Sequence, residues 1–175
     1  MCIRDRCQCG HSPTNATTDL LLTLRMPPVD ARAGSPALSL LGMLDAYCAD
    51  EPLQEDYDCA HCRRKVLGAV RRLQLTVFSE VLIIRLGLDS QLGHKDQRPV
   101  SFLHEYRFTN QGTHVQHHFH LHAVVAHIGP SLRAGHYKAY ICKDDAWWEV
   151  DDQQVVRTSW ERVQQVPAYI LFYKR

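Results

Sequence analysis

Residues 135–152 read GHYKAYICKDDAWWEVDD, and this stretch decides how the rest of the chain is interpreted. It begins with a histidine directly after a glycine, Gly135-His136, and ends with two aspartates, Asp151 and Asp152. In a cysteine or serine hydrolase, a histidine base takes a proton from the nucleophile while an acid holds the imidazole in the useful tautomer. The stretch therefore predicts a base and its orienting acid on two neighbouring strands.

The nucleophile is the missing part of this pattern. Cys2 and Cys7 lie too near the start of the sequence to sit in the context that a reactive thiol needs. We therefore expect the chain to carry only part of an active site. A histidine beside glycine is by itself more often structural, but the paired acids that follow it favour the catalytic interpretation.

Length and composition indicate a globular domain, or half of a larger one. The 175 residues are 45% hydrophobic and 22% charged, which lies within the globular range. A formal net charge of +1 gives no reason to expect nucleic acid as a partner. The sequence has no apolar run of about 18 residues and no secretory apolar region near its start, so we expect no membrane association. An intracellular location, in cytoplasm or nucleus, is predicted.

Short strands dominate the second half and predict an antiparallel sheet as the core. The run VLIIRL at 81–86 is nearly all apolar and predicts a strand buried on both faces. In the first half, Ser35 or Ser39 is expected to cap a helix. The predicted apolar stripe of that helix consists of Leu38, Leu41, Leu44 and Tyr47.

Cysteines predict a structural zinc site. Cys59 and Cys62 have the spacing that lets one tight turn aim two thiolates at a tetrahedral ion. Cys7 and Cys9 are the only sensible second pair, although they are one residue closer than usual. Three alternatives stay open: a distorted knuckle that binds zinc, a start that is not native and replaced a true ligand, and a knuckle that folds without metal. Nothing suggests an organic cofactor.

Histidines cluster between residues 114 and 122. On a strand, His118, His120 and His122 would share one face, which is compatible with metal chelation. Because no carboxylate lies among them in the sequence, a solvent-facing strand edge is the favoured interpretation. His127 is expected to brace the turn before Gly129 rather than to act in catalysis.

Several blocks, taken in order, resemble ubiquitin-specific proteases. They are Y-x-C-x-x-C at 57–62, EVLIIRL at 80–86, HAVVAH-x-G at 122–129, GHY-x-AY at 135–140, W-x-x-VDD at 147–152 and AYILFY at 168–173. The resemblance implies an α+β, papain-like cysteine-protease fold with an antiparallel β palm and zinc-ribbon fingers. The fingers would span about residues 7–85 and the palm about 86–175, and the N-terminal thumb with the nucleophile would be missing from residues 1–175.

The resemblance also assigns roles to the residues of the opening stretch. It implies that His136 is the catalytic base, that Asp151 orients it, and that Asp152 helps to polarise the base or to place the oxyanion. Gly135 would leave room for the glycine-rich tail of ubiquitin, and Tyr137 would flank that channel.

The implied activity is hydrolysis of the peptide or isopeptide bond after the last glycine of ubiquitin. Ubiquitin and ubiquitinated proteins would be the partners, and the chain alone is expected to be inactive without its cysteine nucleophile. The rival interpretation is an inactive ubiquitin-binding scaffold of the same fold. Retention of both His136 and Asp151 argues against the scaffold, which needs neither.

Overall fold

The computed structural model describes residues 2–7, 9–12, 14–17, 19–28, 37–53, 56–89, 94–110 and 113–175. The elements up to residue 74 are β1 (Cys2–Arg6), β2 (Thr14–Ala16), β3 (Leu22–Arg25), β4 (Leu38–Ser39), α1 (Leu40–Cys48), β5 (Asp50–Pro52), β6 (Tyr57–Asp58), β7 (Lys65–Val66) and β8 (Val70–Gln74). The later elements are β9 (Val81–Gly87), β10 (Val100–Ser101), β11 (Glu105–Thr109), β12 (Gln116–Ser131), β13 (Ala134–Lys143), β14 (Ala146–Asp151), β15 (Gln154–Thr158), α2 (Trp160–Val163) and β16 (Ala168–Lys174).

The largest unit is an eight-stranded sheet in the order β15-β14-β13-β12-β16-β9-β3, with β11 added alongside β12. Its neighbouring strands are antiparallel except for β3 and β9, which run parallel. The order β2-β1-β8-β5 defines a second sheet, which is antiparallel throughout. This arrangement confirms the predicted α+β class with an antiparallel core. The predicted boundary between fingers and palm stays a prediction, and the chain crosses it within β9.

The core cluster combines alternating apolar side chains of the central strands with the buried residues of α1. Leu171 and Tyr173 of β16 and Phe119 of β12 are fully buried. Because side chains alternate across a strand, each of these strands contributes every second residue to this layer. Tyr173 also donates a hydrogen bond of 2.8 Å to the Leu103 carbonyl, so its buried hydroxyl is satisfied.

Helix α1 begins where predicted, but its buried stripe differs. Ser39 is the N-cap, and its side chain accepts a hydrogen bond from the Gly42 amide at 3.1 Å. The buried residues of the helix are Leu40, Met43 and Leu44, whereas Leu41 is exposed. The predicted stripe was therefore wrong at Leu41. Leu38 is buried as part of β4 instead, because the helix begins two residues later and faces the core through a different set of side chains.

Strand β9 is buried on one face only, so the prediction of burial on both faces was wrong. Ile84 and Leu86 are buried, while Ile83 and Arg85 are half-buried and Val81 is exposed. Burial on both faces is typical of strands in wholly parallel sheets, which are covered by helices on each side. Strand β9 belongs to a mixed sheet and pairs antiparallel with β16, so one of its faces is left partly open.

The second helix and β14 together build an aromatic wall. Ser159 caps α2 by accepting a hydrogen bond from the Arg162 amide, as expected for a short helix at this point of the chain. Trp160 stacks on Trp147, with ring centroids 5.6 Å apart, and Trp147 is buried in the core. Among the described helices, none is long and apolar enough to cross a membrane.

Candidate active site and cysteine cluster

The predicted base and acid lie side by side on the hairpin of β13 and β14. Ala139 pairs with Val150 in this antiparallel ladder, and Lys143 pairs with Ala146 next to the turn. Continuing the same register by one step places Lys138 opposite Asp151 and makes His136 the diagonal neighbour of Asp151 on the same face. The strand pairing therefore explains why residues 15 apart in sequence can meet.

His136 and Asp151 form a hydrogen bond between the Nε2 atom of the imidazole and Oδ1 of the carboxylate. The imidazole is 46% exposed and the carboxylate 28% exposed, so the pair opens to solvent. A carboxylate on one ring nitrogen fixes the tautomer and leaves the other nitrogen free to accept a proton. In His136 that free nitrogen is Nδ1.

Lys138 anchors the second oxygen of the acid. Its Nζ lies 2.8 Å from Asp151 Oδ2 and 2.8 Å from Glu149 Oε1. The hydrogen bond from Lys138, followed by the one from His136, lowers the pKa of Asp151 below its ordinary value. The two carboxylates in turn raise the pKa of Lys138. Asp151 is therefore ionised and held at both oxygens.

Asp152 lies next to this pair at the turn from β14 to β15. Its backbone is left-handed with a φ of 51°, a conformation that aspartate tolerates in tight hairpins. Its carboxylate lies within 4.8 Å of the ligand atoms of His136 and Asp151. The structure thus brings together the three residues predicted for catalysis.

Gly135 is required by packing on the opposite face of β13. A Cβ at this position would lie 2.6 Å from the Ile128 carbonyl oxygen and 2.8 Å from Cε1 of His127. Tyr137 is 49% exposed and its ring lies 4.7 Å from that of His127. The predicted substrate contacts of Gly135 and Tyr137 stay predictions, and Gly135 has this separate steric reason to be glycine.

His127 forms the floor beneath Gly135, in the middle of a sheet rather than only beside a turn. It is 1% exposed, and its main-chain carbonyl accepts a hydrogen bond of 2.6 Å from Lys95. Burial, with a smaller contribution from the charge of Lys95, lowers its pKa and keeps the ring neutral. Its Nδ1 is buried and has no hydrogen-bond partner among the described residues.

The four predicted cysteines converge on one point. The Sγ atoms of Cys7 and Cys62 are 3.9 Å apart, those of Cys9 and Cys59 are 3.8 Å apart, and all four lie within 4.8 Å of one another. Zinc–sulfur bonds of about 2.3 Å in a tetrahedron place sulfur atoms about 3.8 Å apart. The cluster therefore fits a zinc ion, and all four cysteines are free of disulfides.

The tight first pair works because its turn is shaped by glycine. Gly10 has a φ of 85°, and its amide donates a hydrogen bond of 2.9 Å to the Cys7 carbonyl. This tight turn lets Cys7 and Cys9 face the same point although only one residue separates them, whereas two residues separate Cys59 and Cys62. In the second pair, backbone amides of Cys62 and, to a smaller degree, His61 point at the Cys59 sulfur. These hydrogen bonds lower the pKa of Cys59 against the opposing effect of burial, whereas the pKa values of Cys7 and Cys62 are raised, with burial as the largest raising cause. A thiolate is the form that binds metal.

Sequence reasoning missed the supporting residues of the active site. Lys138 and Glu149 could have been found by extending the hairpin register, since both lie on the face of His136. Tyr169 could not, because it reaches Tyr137, at a centroid distance of 6.1 Å, from β16. It belongs to a strand that is remote from Tyr137 in sequence.

The chain is similar in sequence to known proteins. The family model of ubiquitin carboxyl-terminal hydrolases matches residues 7–173. Ubiquitin carboxyl-terminal hydrolase 5 of Arabidopsis thaliana is 30% identical over 164 residues, which is 87% of this chain and 18% of that protein. Ubiquitin carboxyl-terminal hydrolase 17-like protein C of Mus musculus is 30% identical over 177 residues, covering 97% of this chain and 31% of the relative. The chain thus spans less than a third of either relative.

Solved structures share the fold. A chain of the SAGA DUB module Ubp8/Sgf11/Sus1/Sgf73 bound to monoubiquitin superposes with a TM-score of 0.84 at 23% identity, covering 99% of this chain and 39% of that one. The same module bound to ubiquitin aldehyde gives a TM-score of 0.82 at 23% identity, over 99% of this chain and 40% of the other. Together with the match of the family model over residues 7–173, these results show that the chain belongs to the ubiquitin carboxyl-terminal hydrolases of the ubiquitin-specific protease type.

Proposed function

We propose that this chain supplies the base and the orienting acid of a cysteine-dependent deubiquitinase. The observation that carries the proposal is the hydrogen bond that Nε2 of His136 donates to Asp151, which leaves Nδ1 as the proton acceptor. In this role, Nδ1 takes the proton of a cysteine thiol, and the carboxylate stabilises the imidazolium that forms. Lys138 keeps Asp151 ionised during this step.

The reaction then proceeds by acyl transfer. The thiolate attacks the carbonyl carbon of ubiquitin's last glycine, and His136 donates its proton to the leaving lysine amine. Water attacks the resulting thioester with His136 as the base, which releases ubiquitin and restores the thiol. Asp152 lies close enough to the pair to help polarise the base or to place the oxyanion.

The attacking thiol is proposed to come from polypeptide outside residues 1–175. Cys7, Cys9, Cys59 and Cys62 form the cluster described above. Cys142 lies six residues along β13 from His136, which is about 20 Å at the rise of an extended strand. Cys48 lines a cavity whose other lining residues are Asp45, Arg72, Gln74, Thr109 and His114, and neither His136 nor Asp151 is among them.

Ubiquitin and its conjugates are the proposed substrates. Family membership supports this choice, as do two solved relatives of the same fold that carry monoubiquitin or ubiquitin aldehyde. The near-neutral charge of the chain is compatible with recognition through shape and polar contacts rather than through a strong field.

We also propose that Cys7, Cys9, Cys59 and Cys62 hold a structural zinc ion. Bound zinc would tie the turn after β1 to the turn between β6 and β7, and four thiolates would leave it no position for chemistry. Metal analysis of the chain after dialysis against zinc-free buffer, which removes zinc from any weaker site, should give one zinc per molecule, and none after Cys59→Ser. A chain that contains no zinc and is stable with reduced thiols would contradict the proposal.

Complementation tests the catalytic proposal. The chain is mixed with the cysteine-bearing N-terminal half of a ubiquitin carboxyl-terminal hydrolase, and cleavage of a fluorogenic ubiquitin conjugate is measured. Wild type should restore activity, and His136→Ala or Asp151→Asn should reduce the restored rate by about 10²- to 10⁴-fold. His122→Ala, an exposed histidine on another strand, is the matched control and should keep full activity.

Two outcomes would refute the enzyme interpretation. The first is restored activity that His136→Ala leaves unchanged. The second is no activity despite a folded complex that binds ubiquitin, a result that favours the inactive scaffold.

A further inference from the structure

We propose that His104, Glu105 and His120 form a second metal site, which binds a divalent transition-metal ion such as zinc. The ligand atoms of these three side chains lie within 4.8 Å of one another. The inference does not depend on the proposed catalytic function, since it uses none of the residues assigned to the active site or to the cysteine cluster.

The strand register creates the site. In the ladder between β11 and β12, Glu105 lies directly opposite His120, so the two side chains project from the same face. His120 Nδ1 is 3.5 Å from Glu105 Oε1, and both side chains are about half exposed. His104 precedes β11, and its main-chain carbonyl accepts a hydrogen bond from Leu121, which ties it to β12. The carboxylate thus comes from a neighbouring strand, which is why the histidine run on β12 seemed to lack one.

His104 is the rigid member of the site. Its ring meets Trp160 edge-on with centroids 5.3 Å apart, and it meets Trp147 in the same way at 6.0 Å. These contacts hold the half-buried imidazole in one orientation, so less side-chain entropy is lost when it binds an ion.

His118 supports the carboxylate from outside. Its Nε2 lies 3.2 Å from Glu105 Oε2, the oxygen that does not face His120. In metal sites, such outer partners orient the ligating carboxylate and tune affinity. Arg107 lies opposite His118 in the ladder, and its positive charge is a reason to place His118 outside the ligand set.

The donor set matches known preferences of transition metals. Two histidines and one glutamate are a ligand set for zinc with an open fourth position. Zinc bonds of about 2.1 Å place ligand atoms about 3.4 Å apart in a tetrahedron. His120 and Glu105 already have about this separation at 3.5 Å, and the ligand atom of His104 lies within 4.8 Å of both.

A zinc titration tests the site. The 175-residue chain, purified with zinc retained in the cysteine cluster, is titrated with Zn²⁺ in a calorimeter. We expect one further equivalent, bound more tightly than about 100 μM. His120→Ala and Glu105→Gln should each weaken this equivalent at least about tenfold, and His118→Ala should weaken it about tenfold through the lost outer contact. His122→Ala is the matched control on the same strand face and should leave the affinity within about twofold.

Cobalt gives an independent readout. Co²⁺ bound at this site should show no sulfur-to-metal charge-transfer band, whereas Co²⁺ in the cysteine cluster should show one. Circular dichroism of each variant checks that it is folded, and the substituted side chains are exposed enough for folding to survive.

Absence of a further equivalent in the wild type would overturn the proposal. Equal losses in His120→Ala and His122→Ala would overturn the ligand set, because a general histidine surface would then account for the binding.

Discussion

Gly135→Ala tests whether packing beneath β13 dictates the residue that precedes His136. The added Cβ would lie 2.6 Å from the Ile128 carbonyl oxygen and 2.8 Å from His127 Cε1. Ordinary carbon contacts begin near about 3.5 Å. The added Cβ therefore overlaps two neighbours, the Ile128 carbonyl oxygen and the His127 ring through its Nε2 and Cε1 atoms, in a closely packed part of the sheet.

Neither neighbour can move aside cheaply. His127 is 1% exposed, and its ring lies 4.7 Å from that of Tyr137. The main-chain carbonyl of His127 accepts a 2.6 Å hydrogen bond from Lys95, and Ile128 is paired with His136 in the ladder. Because relief requires a shift of backbone, we expect the upper range of overpacking costs, about 3 kcal/mol. For a chain of this size, that loss corresponds to a fall in Tm of about 6 to 12 °C.

Urea denaturation followed by circular dichroism measures the effect, with an unchanged m value as evidence that the same transition is observed. Gly42→Ala on α1 is the control, since the nearest atom to its Cβ is the Ser39 hydroxyl at 3.1 Å, which needs to shift by only a few tenths of an ångström within its N-cap. It should change the free energy of unfolding by less than about 1 kcal/mol.

A double-mutant cycle identifies the neighbour responsible. Adding His127→Ala removes one of the two overlaps, so its cost should be about 1 to 2 kcal/mol smaller in the Gly135→Ala background than in wild type. The Ile128 carbonyl would account for the remainder. A loss below about 1 kcal/mol for Gly135→Ala, or a cycle with no coupling, would refute this steric reasoning.

Three further predictions concern the charged pair, the metal cluster and the core. Lys138→Met should raise the pKa of Asp151, since Lys138 is the largest cause of its lowering. The stability that ionised Asp151 contributes is present above its ordinary pKa of 3.8 and is lost as the pH falls through the lowered pKa. The variant should therefore begin to unfold at a higher pH than wild type during acid titration. Carboxyl NMR reads the pKa, and an unchanged value would contradict the role of Lys138. A strong chelator should lower the Tm of wild type. Cys59→Ser, which removes a ligand of the cysteine cluster, should have a lower Tm even without chelator. Cys142→Ser is the control, and chelator should lower its Tm as much as that of wild type. Tyr173→Phe should cost about 1 to 2 kcal/mol in urea denaturation, because it leaves a main-chain carbonyl unpaired, and an unchanged midpoint would show that the 2.8 Å hydrogen bond contributes nothing.

The fold class and the proximity of His136 to Asp151 could be predicted because local sequence and motif order indicate them. Apolar alternation marked the strands, and the cysteine spacing marked the knuckle around Cys59 and Cys62. The resemblance to ubiquitin-specific proteases then placed His136 and Asp151, and the structure brings both together.

The remaining features depend on neighbours that are distant in sequence. Leu41 is exposed because of where α1 begins and which strands the helix faces. The spacing of apolar residues in the sequence specifies neither of these. The role of Glu105 beside His120 depends on the β11–β12 register. The burial of Nδ1 of His127 without a hydrogen-bond partner follows from the strands that pack around β12, and Lys95 reaches the main chain of His127 from a loop that is distant in sequence. Each case needs the pairing of strands, which composition and periodicity do not specify.

The turn between β13 and β14 connects the fold to the candidate chemistry. Asp144 and Asp145 both have positive φ, at 51° and 57°, which is the signature of a two-residue hairpin turn whose twist matches that of the strands. Such a turn fixes the register of every pair that follows, and a slip of one residue would move Asp151 to the opposite face from His136. The same two residues that close the hairpin therefore determine whether the acid can reach the base. Aspartate tolerates the left-handed backbone that this turn requires, so the acidic pair at the turn is as much a part of the site as the acidic pair beside the histidine.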